Sequence, residues 1–200
     1  MGTDATDPAR LDRHLDFLLT ADRLKRVERN TRLHDGSRFE NSAEHSWHLT
    51  LMALTLAEHA PPGTDIGRVV EMLIVHDVVE IDAGDHWVVE DNAKAVATKE
   101  AAAADRLFAL LPDDQCRRFH ALWTEYEERE TPEARFARAL DSPHPMLLVW
   151  GPGASDEVHA PVTADFMREY KRAALEPYPA LWALAQRLLD DAVARGVLAP

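Results

Sequence analysis

Residues 73–85 read LIVHDVVEIDAGD, and this stretch limits the fold of the 200-residue chain more tightly than any other. His76, Asp77 and Glu80 sit in a run otherwise built from Val69, Val70, Met72, Leu73, Ile74, Val75, Val78, Val79 and Ile81. A run that is apolar in nearly every direction is no solvated amphipathic face. It predicts a buried helix, on which His76 and Glu80 share a side while Asp77 lies about 100° round from His76. Carboxylates and imidazoles inside an apolar core are costly unless paired, hydrogen-bonded or bound to a metal. A lone histidine there reads as a core residue held by an ion pair. An adjacent His-Asp pair, with more acids one and two turns later, points instead to a metal site.

Helical periodicity dominates the rest of the chain. Leu11, Leu15, Leu18, Leu19, Leu24 and Val27 predict an amphipathic helix over 8–28, with Asp7 and Pro8 at its start. Its end and the following loop carry Arg23, Lys25, Arg26, Arg29, Arg32 and Arg38 against Glu28 and Asp35 alone. That sign reversal has two readings: a solvated basic face favoured by the helix dipole, or one or two arginines held for a phosphate. A loop over 30–41 turns at Asp35-Gly36, and Ser42 is placed to cap a second helix reaching His59, with His45 in its first turn. Pro61, Pro62 and Gly63 separate it from the buried helix, which begins near Asp65. Further helices are expected over 93–111, 113–130, from Pro132 through Asp141, over 163–175 and over 178–195. Trp87 offers an aromatic wall beside the buried stretch, and Asp141 is an acid among the apolar Phe136, Ala139 and Leu140. No strand pattern is legible, so the fold class is all-α. The organisation reads as one domain over 1–200, with its core in about 10–150 and C-terminal helices over 163–196 packed on it.

A formal net charge of −13 argues against nucleic acid or an anionic membrane as partner, since both call for a basic surface. A small phosphorylated substrate needs only a local basic patch. The single cysteine, Cys116, excludes an internal disulfide and a Cys-rich zinc site, and a cytoplasmic location follows as the expectation. The start, MGTDATDPAR, lacks the basic and apolar regions of a signal peptide, and no apolar run is long enough for a membrane span.

His45, His76, Asp77 and Asp141 thus come from three predicted helices. Two imidazoles and two carboxylates suit one divalent cation with open positions, whether Mn, Co, Mg, Fe or Zn. The order of a His, a His-Asp dipeptide and a late Asp resembles the HD-domain metal-dependent phosphohydrolases. Within them it is similar to the branch of the bacterial 5′-deoxynucleotidase and its eukaryotic HD-domain relatives. The matching pieces are residues 24–29 (LKRVER), 40–46 (ENSAEHS), 76–80 (HDVVE), 83–85 (AGD), 110–112 (LLP), 122–127 (LWTEYE) and 139–141 (ALD).

The resemblance implies an HD-domain helical bundle and metal ligation by His45, His76, Asp77 and Asp141. It also implies catalytic or substrate-contacting roles for Glu80 and Asp85, and a phosphate contact for Arg29. Arg38 and Trp87, with Asp77, Asp85 and Asp141, complete the expected substrate-binding set. The implied activity is hydrolysis of a nucleoside 5′-monophosphate, and family grounds alone suggest a homodimer. Asn30-Thr31 stands where relatives tend to carry a Trp near the sugar, which leaves the choice between deoxyribose and ribose open. Pro143 and Pro145 follow Asp141 closely enough to disturb the turn that presents it. Two other readings compete: a two-metal HD phosphodiesterase or iron oxygenase, for which His86 and His120 are the candidate extra ligands, and a non-enzymatic helical binding module. For His86 a loop position near the substrate is the simpler reading, and for His120 the surface of an amphipathic helix.

Overall fold

The computed structural model describes residues 7–86, 93–155 and 162–200. Helix α1 (Pro8–Ala21) starts where Asp7 accepts a hydrogen bond from the Ala9 N–H and Pro8 fills the first turn. It ends earlier than its periodicity predicts. A 3-10 turn (Asp22–Arg26) follows, and the chain then extends into β1 (Glu28–Arg32), which pairs antiparallel with β2 (Phe39–Asn41). This hairpin corrects the expectation of a strandless chain. ERNTR and FEN show no apolar alternation, so their pairing is set by the turn and by what their side chains meet. The turn is the expected one: Gly36 adopts φ +71°, its N–H reaches the Leu33 carbonyl at 2.8 Å, and Asp35 accepts from the Ser37 N–H. Pairs Glu28–Asn41 and Arg32–Phe39 imply a bulge on β1, with the Arg32 guanidinium 4.5 Å above the Phe39 ring. Inward from the hairpin point Arg29 and Glu40, the latter 2% exposed.

Helix α2 (Ser42–Thr55) begins without any linker after β2. Its N-cap is Asn41, not Ser42. The Asn41 side chain accepts from the Glu44 N–H at 3.0 Å and the Glu44 carboxylate accepts from the Asn41 N–H at 3.2 Å, a reciprocal capping box. Ser42, one residue inside, is freed to face the core. Helix α3 (Ile66–Val75), capped by Asp65, packs between α2, α6 (Asp113–Glu128) and α7 (Pro132–Asp141), and buries Val69, Met72, Leu73 and Val75.

The predicted buried helix does not continue evenly. After Val75 it tightens into a 3-10 turn (His76–Val79) before the single turn of α4 (Glu80–Ala83), which ends at Gly84 with φ +82°. In 3-10 geometry residues three apart lie in line. Asp77 therefore aligns with Glu80, where a regular α-helix would pair His76 with Glu80.

Helix α5 (Ala93–Phe108) covers this turn, and α6 packs against both α5 and α7. Thr131 caps α7 by accepting from the Ala134 N–H, with Pro132 in the first turn as expected. Pro143 starts a new helix, α8 (His144–Trp150), rather than distorting α7, whose last residue is Asp141. Helices α9 (Ala164–Leu175) and α10 (Pro179–Ala194) close on α7 and α8, and their Leu175, Leu181, Leu188 and Leu189 join one apolar cluster with Leu49, Leu73, Phe108, Phe136 and Leu140. Leu11, Leu15, Leu18 and Leu19 of α1 do not join it; each is more than half exposed, and Phe17 is the buried residue of that helix. No helix among the described residues is long and apolar enough to cross a membrane.

Because the Asn41 cap fixes the entry of α2, Asn41→Ala should destabilise the protein by about 1 kcal/mol in urea unfolding. Ser37→Ala, on the exposed turn, should shift the midpoint far less.

Candidate metal centre

The polar residues of α2, α3–α4 and α7 meet in one place. His45, wholly buried in the first turn of α2, has its Nε2 3.1 Å from Asp141 Oδ1 and 3.7 Å from Asp77 Oδ2. The His45 and His76 rings stand 5.6 Å apart between centroids. Ligand atoms of His45, His76 and Asp141 all lie within 4.8 Å of one another, a spacing that one ion can bridge. Asp77 adjoins them through Oδ1, 3.0 Å from His76 Nε2. All four sequence-predicted ligands are therefore together.

Local structure fixes how each is presented. The Nδ1 of His76 lies 2.9 Å from the Leu73 carbonyl, which makes Nδ1 the protonated nitrogen and leaves a lone pair on Nε2. Although Asp77 Oδ1 lies 3.0 Å away, that buried Nε2 makes no hydrogen bond. A carbonyl-oriented imidazole with an unused inner nitrogen is the usual arrangement of a metal-bound histidine. Asp141 is held on its other oxygen by the Tyr126 hydroxyl, which donates at 2.9 Å, and by Arg138. Burial alone would raise its pKa, but Arg138 and the His45 contact outweigh burial and keep it well below the usual carboxylate range. Asp141 is thus ionised and available as a ligand.

Around these residues negative charge is crowded. Arg29 Nη1 lies 3.2 Å from Asp77, 3.4 Å from Asp85 and 3.9 Å from Glu80, while its Nε is 3.5 Å from Glu40. Burial works against its charge, yet Asp77, Asp85 and Glu80 hold its pKa above the ordinary arginine value. Glu80 is 8% exposed and accepts from Ser42 Oγ at 2.5 Å; burial, then the charge of Asp77, pushes it up to about 10. Burial pushes Glu40 up to about 8 despite Arg29. Acids that retain protons beside an unused imidazole nitrogen form a site short of positive charge, and a divalent cation fits that deficit.

Two cavities adjoin at this point. The polar one, about 250 Å³, is bounded by His45, His76, Asp77 and Asp141 together with Glu80, Asp85 and Tyr126. The apolar one, about 160 Å³, is walled by Val149, Trp150, Phe166 and Met167. Arg29, Asp85, His86, Pro145 and Lys171 border both. Asp85 follows Gly84 and accepts from the Asn30 N–H at 3.2 Å, which ties the loop after α4 to the hairpin. His86 stands beside the site as a loop residue, its Nε2 2.9 Å from the Ala83 carbonyl. His120, on α6, packs edge-on to Phe108 near Asp105 of α5, as the amphipathic-surface reading expects. Arg38 stands apart: it is exposed and makes a two-pronged pair with Glu44 at 2.8 and 2.6 Å, so its charge serves the α2 cap. Trp87 lies outside the described residues.

Several groups at the site were not singled out in the sequence. His144, fully buried, places Nδ1 3.1 Å from His45 Nδ1 and Nε2 3.0 Å from His48 Nδ1, which extends a chain of imidazoles from Asp141 to the half-buried His48. Burial, and then the neighbouring His45, keeps His144 well below the usual histidine range, hence neutral. Glu40, Tyr126, Arg138 and Lys171 complete the set. The available signal was weak: Tyr126 and Arg138 lie at ordinary helical positions, and the C-terminal helices carry no motif.

Residues 21–182 match the family model described as HD domain, and the chain belongs to that family. Its likeness extends to individual proteins. It is 33% identical over 129 residues to the 5′-deoxynucleotidase HDDC2 of Xenopus laevis, a match covering 64% of this chain and 63% of the frog protein. The Homo sapiens protein of the same name is 30% identical, covering 64% and 62%. This chain thus aligns with less than two thirds of those relatives' length. A solved structure from Magnetospirillum magnetotacticum MS-1, described as a predicted metal-dependent phosphohydrolase, superposes with a TM-score of 0.85 at 45% identity, covering 96% of this chain and all of that one. The PH0347 protein of Pyrococcus horikoshii OT3, 21% identical with a TM-score of 0.62, shares the fold.

The raised pKa of Glu80 has a consequence for the metal-free protein. A carboxyl that binds its proton more tightly when folded contributes stability in full below its ordinary value of 4.5 and loses it as pH rises toward about 10. Metal-free protein should therefore lose resistance to denaturant across that window, and Glu80→Gln should flatten the decline. Urea unfolding at a series of pH values measures both. A decline of equal slope in the variant would contradict the assignment.

Proposed function

We propose that the protein is a metal-dependent phosphomonoesterase that hydrolyses nucleoside 5′-monophosphates, ribo or deoxy, or a close analogue, to nucleoside and phosphate. The observation that carries this reading is the unused Nε2 of His76 facing His45, Asp77 and Asp141 beside an apolar cavity. The names of the 5′-deoxynucleotidase relatives support the same substrate class.

In this reading His45, His76, Asp77 and Asp141 hold one divalent ion. Such an ion supplies positive charge for phosphoryl oxygens and lowers the pKa of water. The chain's own groups do the rest. Asp77 and Glu80, aligned by the 3-10 turn, face the polar cavity with Arg29 between them. Hydrolysis forms a bond from water oxygen to phosphorus and breaks the bond from phosphorus to the 5′-oxygen; the water gives up a proton and the departing nucleoside oxygen gains one. Glu80 and Asp85 are the carboxyl groups able to exchange those protons, and Arg29 stabilises charge on the phosphate. The apolar cavity receives the base.

One observation favours a second ion: Glu40, His45 and His144 also cluster within ligand distance. His45 is common to both groups and Arg29 already lies against Glu40, so a single ion is the reading kept here, and elemental analysis should find one per chain. A cytoplasmic location and a homodimer belong to the same proposal. The uncovered leucines of α1 support the dimer, and sedimentation tests it.

Metal-loaded protein should release phosphate from a panel of ribo- and deoxyribonucleoside monophosphates. Chelation should abolish release, and Mn²⁺ or Co²⁺ should restore it. Loss of an outer partner of a metal ligand costs about 10–100-fold in affinity or activity, so His76→Ala and Asp77→Ala, which remove ligands, should cost about 100-fold or more. Absence of release across the panel would overturn this reading.

A further inference from the structure

Lys171 lies on α9, in the part of the chain with no motif, and is 6% exposed. Its neighbours along the inward side of that helix are the wholly buried Ala164 and Leu175. An ammonium so placed is costly without an anion. Among the described residues no carboxylate lies within ion-pair distance of it and no hydrogen bond satisfies it; the nearest aromatic face is that of Tyr170, 5.1 Å from Nζ. Burial lowers its pKa only to about 8, so it stays cationic at neutral pH.

Its position gives the vacant charge a purpose. Lys171 borders both the polar cavity of the metal ligands and the apolar cavity of Trp150 and Phe166. A phosphomonoester spanning the two would put its phosphate at their junction. Arg29 borders the junction as well, but its guanidinium is shared among Asp77, Asp85, Glu80 and Glu40. Arg138 is engaged by Asp141. Of the two Lys or Arg side chains that border both cavities, Arg29 and Lys171, Lys171 is the one not held by an acid.

We propose that Lys171 is a phosphate-binding residue of this site, contacting the dianionic phosphate of a monoester whose organic part occupies the apolar cavity. The proposal rests on the phosphomonoesterase reading for its substrate class, but phosphate binding tests it separately. Full-length, Mn²⁺-loaded protein is titrated calorimetrically with inorganic phosphate, with bound metal measured in every sample. Charge-assisted hydrogen bonds to an anion imply a loss of affinity of about 10–100-fold in Lys171→Met, with metal content unchanged. Lys171→Arg should recover most of that affinity, which a purely packing role would not produce. Lys171→Gln, similar in length and uncharged, should behave as Lys171→Met and replaces it if the apolar variant fails to fold. Wild-type phosphate affinity in the uncharged variants overturns the proposal, as does a loss that appears only together with loss of metal. If wild-type protein hydrolyses no nucleotide while Lys171→Met still loses phosphate binding, the role of Lys171 stands and the nucleotide reading falls. If nucleotides are hydrolysed and Lys171→Met keeps wild-type phosphate affinity and KM, the reverse holds.

Discussion

The guanidinium of Arg29 is the centre on which this structure depends. Glu40, Asp77, Glu80 and Asp85, from the hairpin, the 3-10 turn, α4 and the loop after it, all lie within 4 Å of its nitrogens. Removing one partner of a buried ionic group leaves the others uncompensated, at a cost of about 3–5 kcal/mol, whereas replacing the whole group by apolar side chains is often neutral or stabilising. Such a network is therefore poorly explained as a device for stability. Its effect is placement: one cation pulls acids from four segments to the edge of the metal centre and leaves them short of positive charge. A divalent ion and a cationic lysine then have a field in which to act.

Secondary structure bends to the same requirement. An unbroken α-helix through residues 66–83 would have left Asp77 and Glu80 about 60° out of line on one face. The 3-10 turn at His76–Val79 brings them into line toward Arg29 and lets His76 give its Nδ1 to the Leu73 carbonyl, with Nε2 turned inward. Buried polar groups and irregular backbone coincide here, as they tend to where local regularity yields to function.

The helical bundle was legible because its signals are local. Apolar spacing marks α2, α3, α6 and α7, Thr131-Pro132 marks a helix start, and the resemblance added the HD family. The four candidate metal ligands were legible because charged residues inside apolar runs demand partners. What escaped was non-local. Strands β1 and β2 are polar on both faces, and their pairing follows from Arg29 meeting Asp77 and Asp85 across the site. Arg38 resembled a phosphate ligand by charge alone, and only the capping geometry of Glu44 shows where that charge goes. Lys171 and His144 were unreadable because their meaning lies in neighbours 99 and 96 residues away along the chain for His144, and in two cavities for Lys171.

Strand β2 passes into α2 with no residue between them, and Asn41 belongs to both as last ladder position and helix cap. Glu40, Asn41, Ser42, Glu44 and His45 therefore form one lever whose two ends are Arg29's partner and a candidate metal ligand. Each residue of an α-helix turns the next by about 100°. A single insertion or deletion here would swing His45 away from Asp141 while leaving every side chain in the segment chemically intact. Length along this stretch is thus as much a part of the site as the side chains it carries.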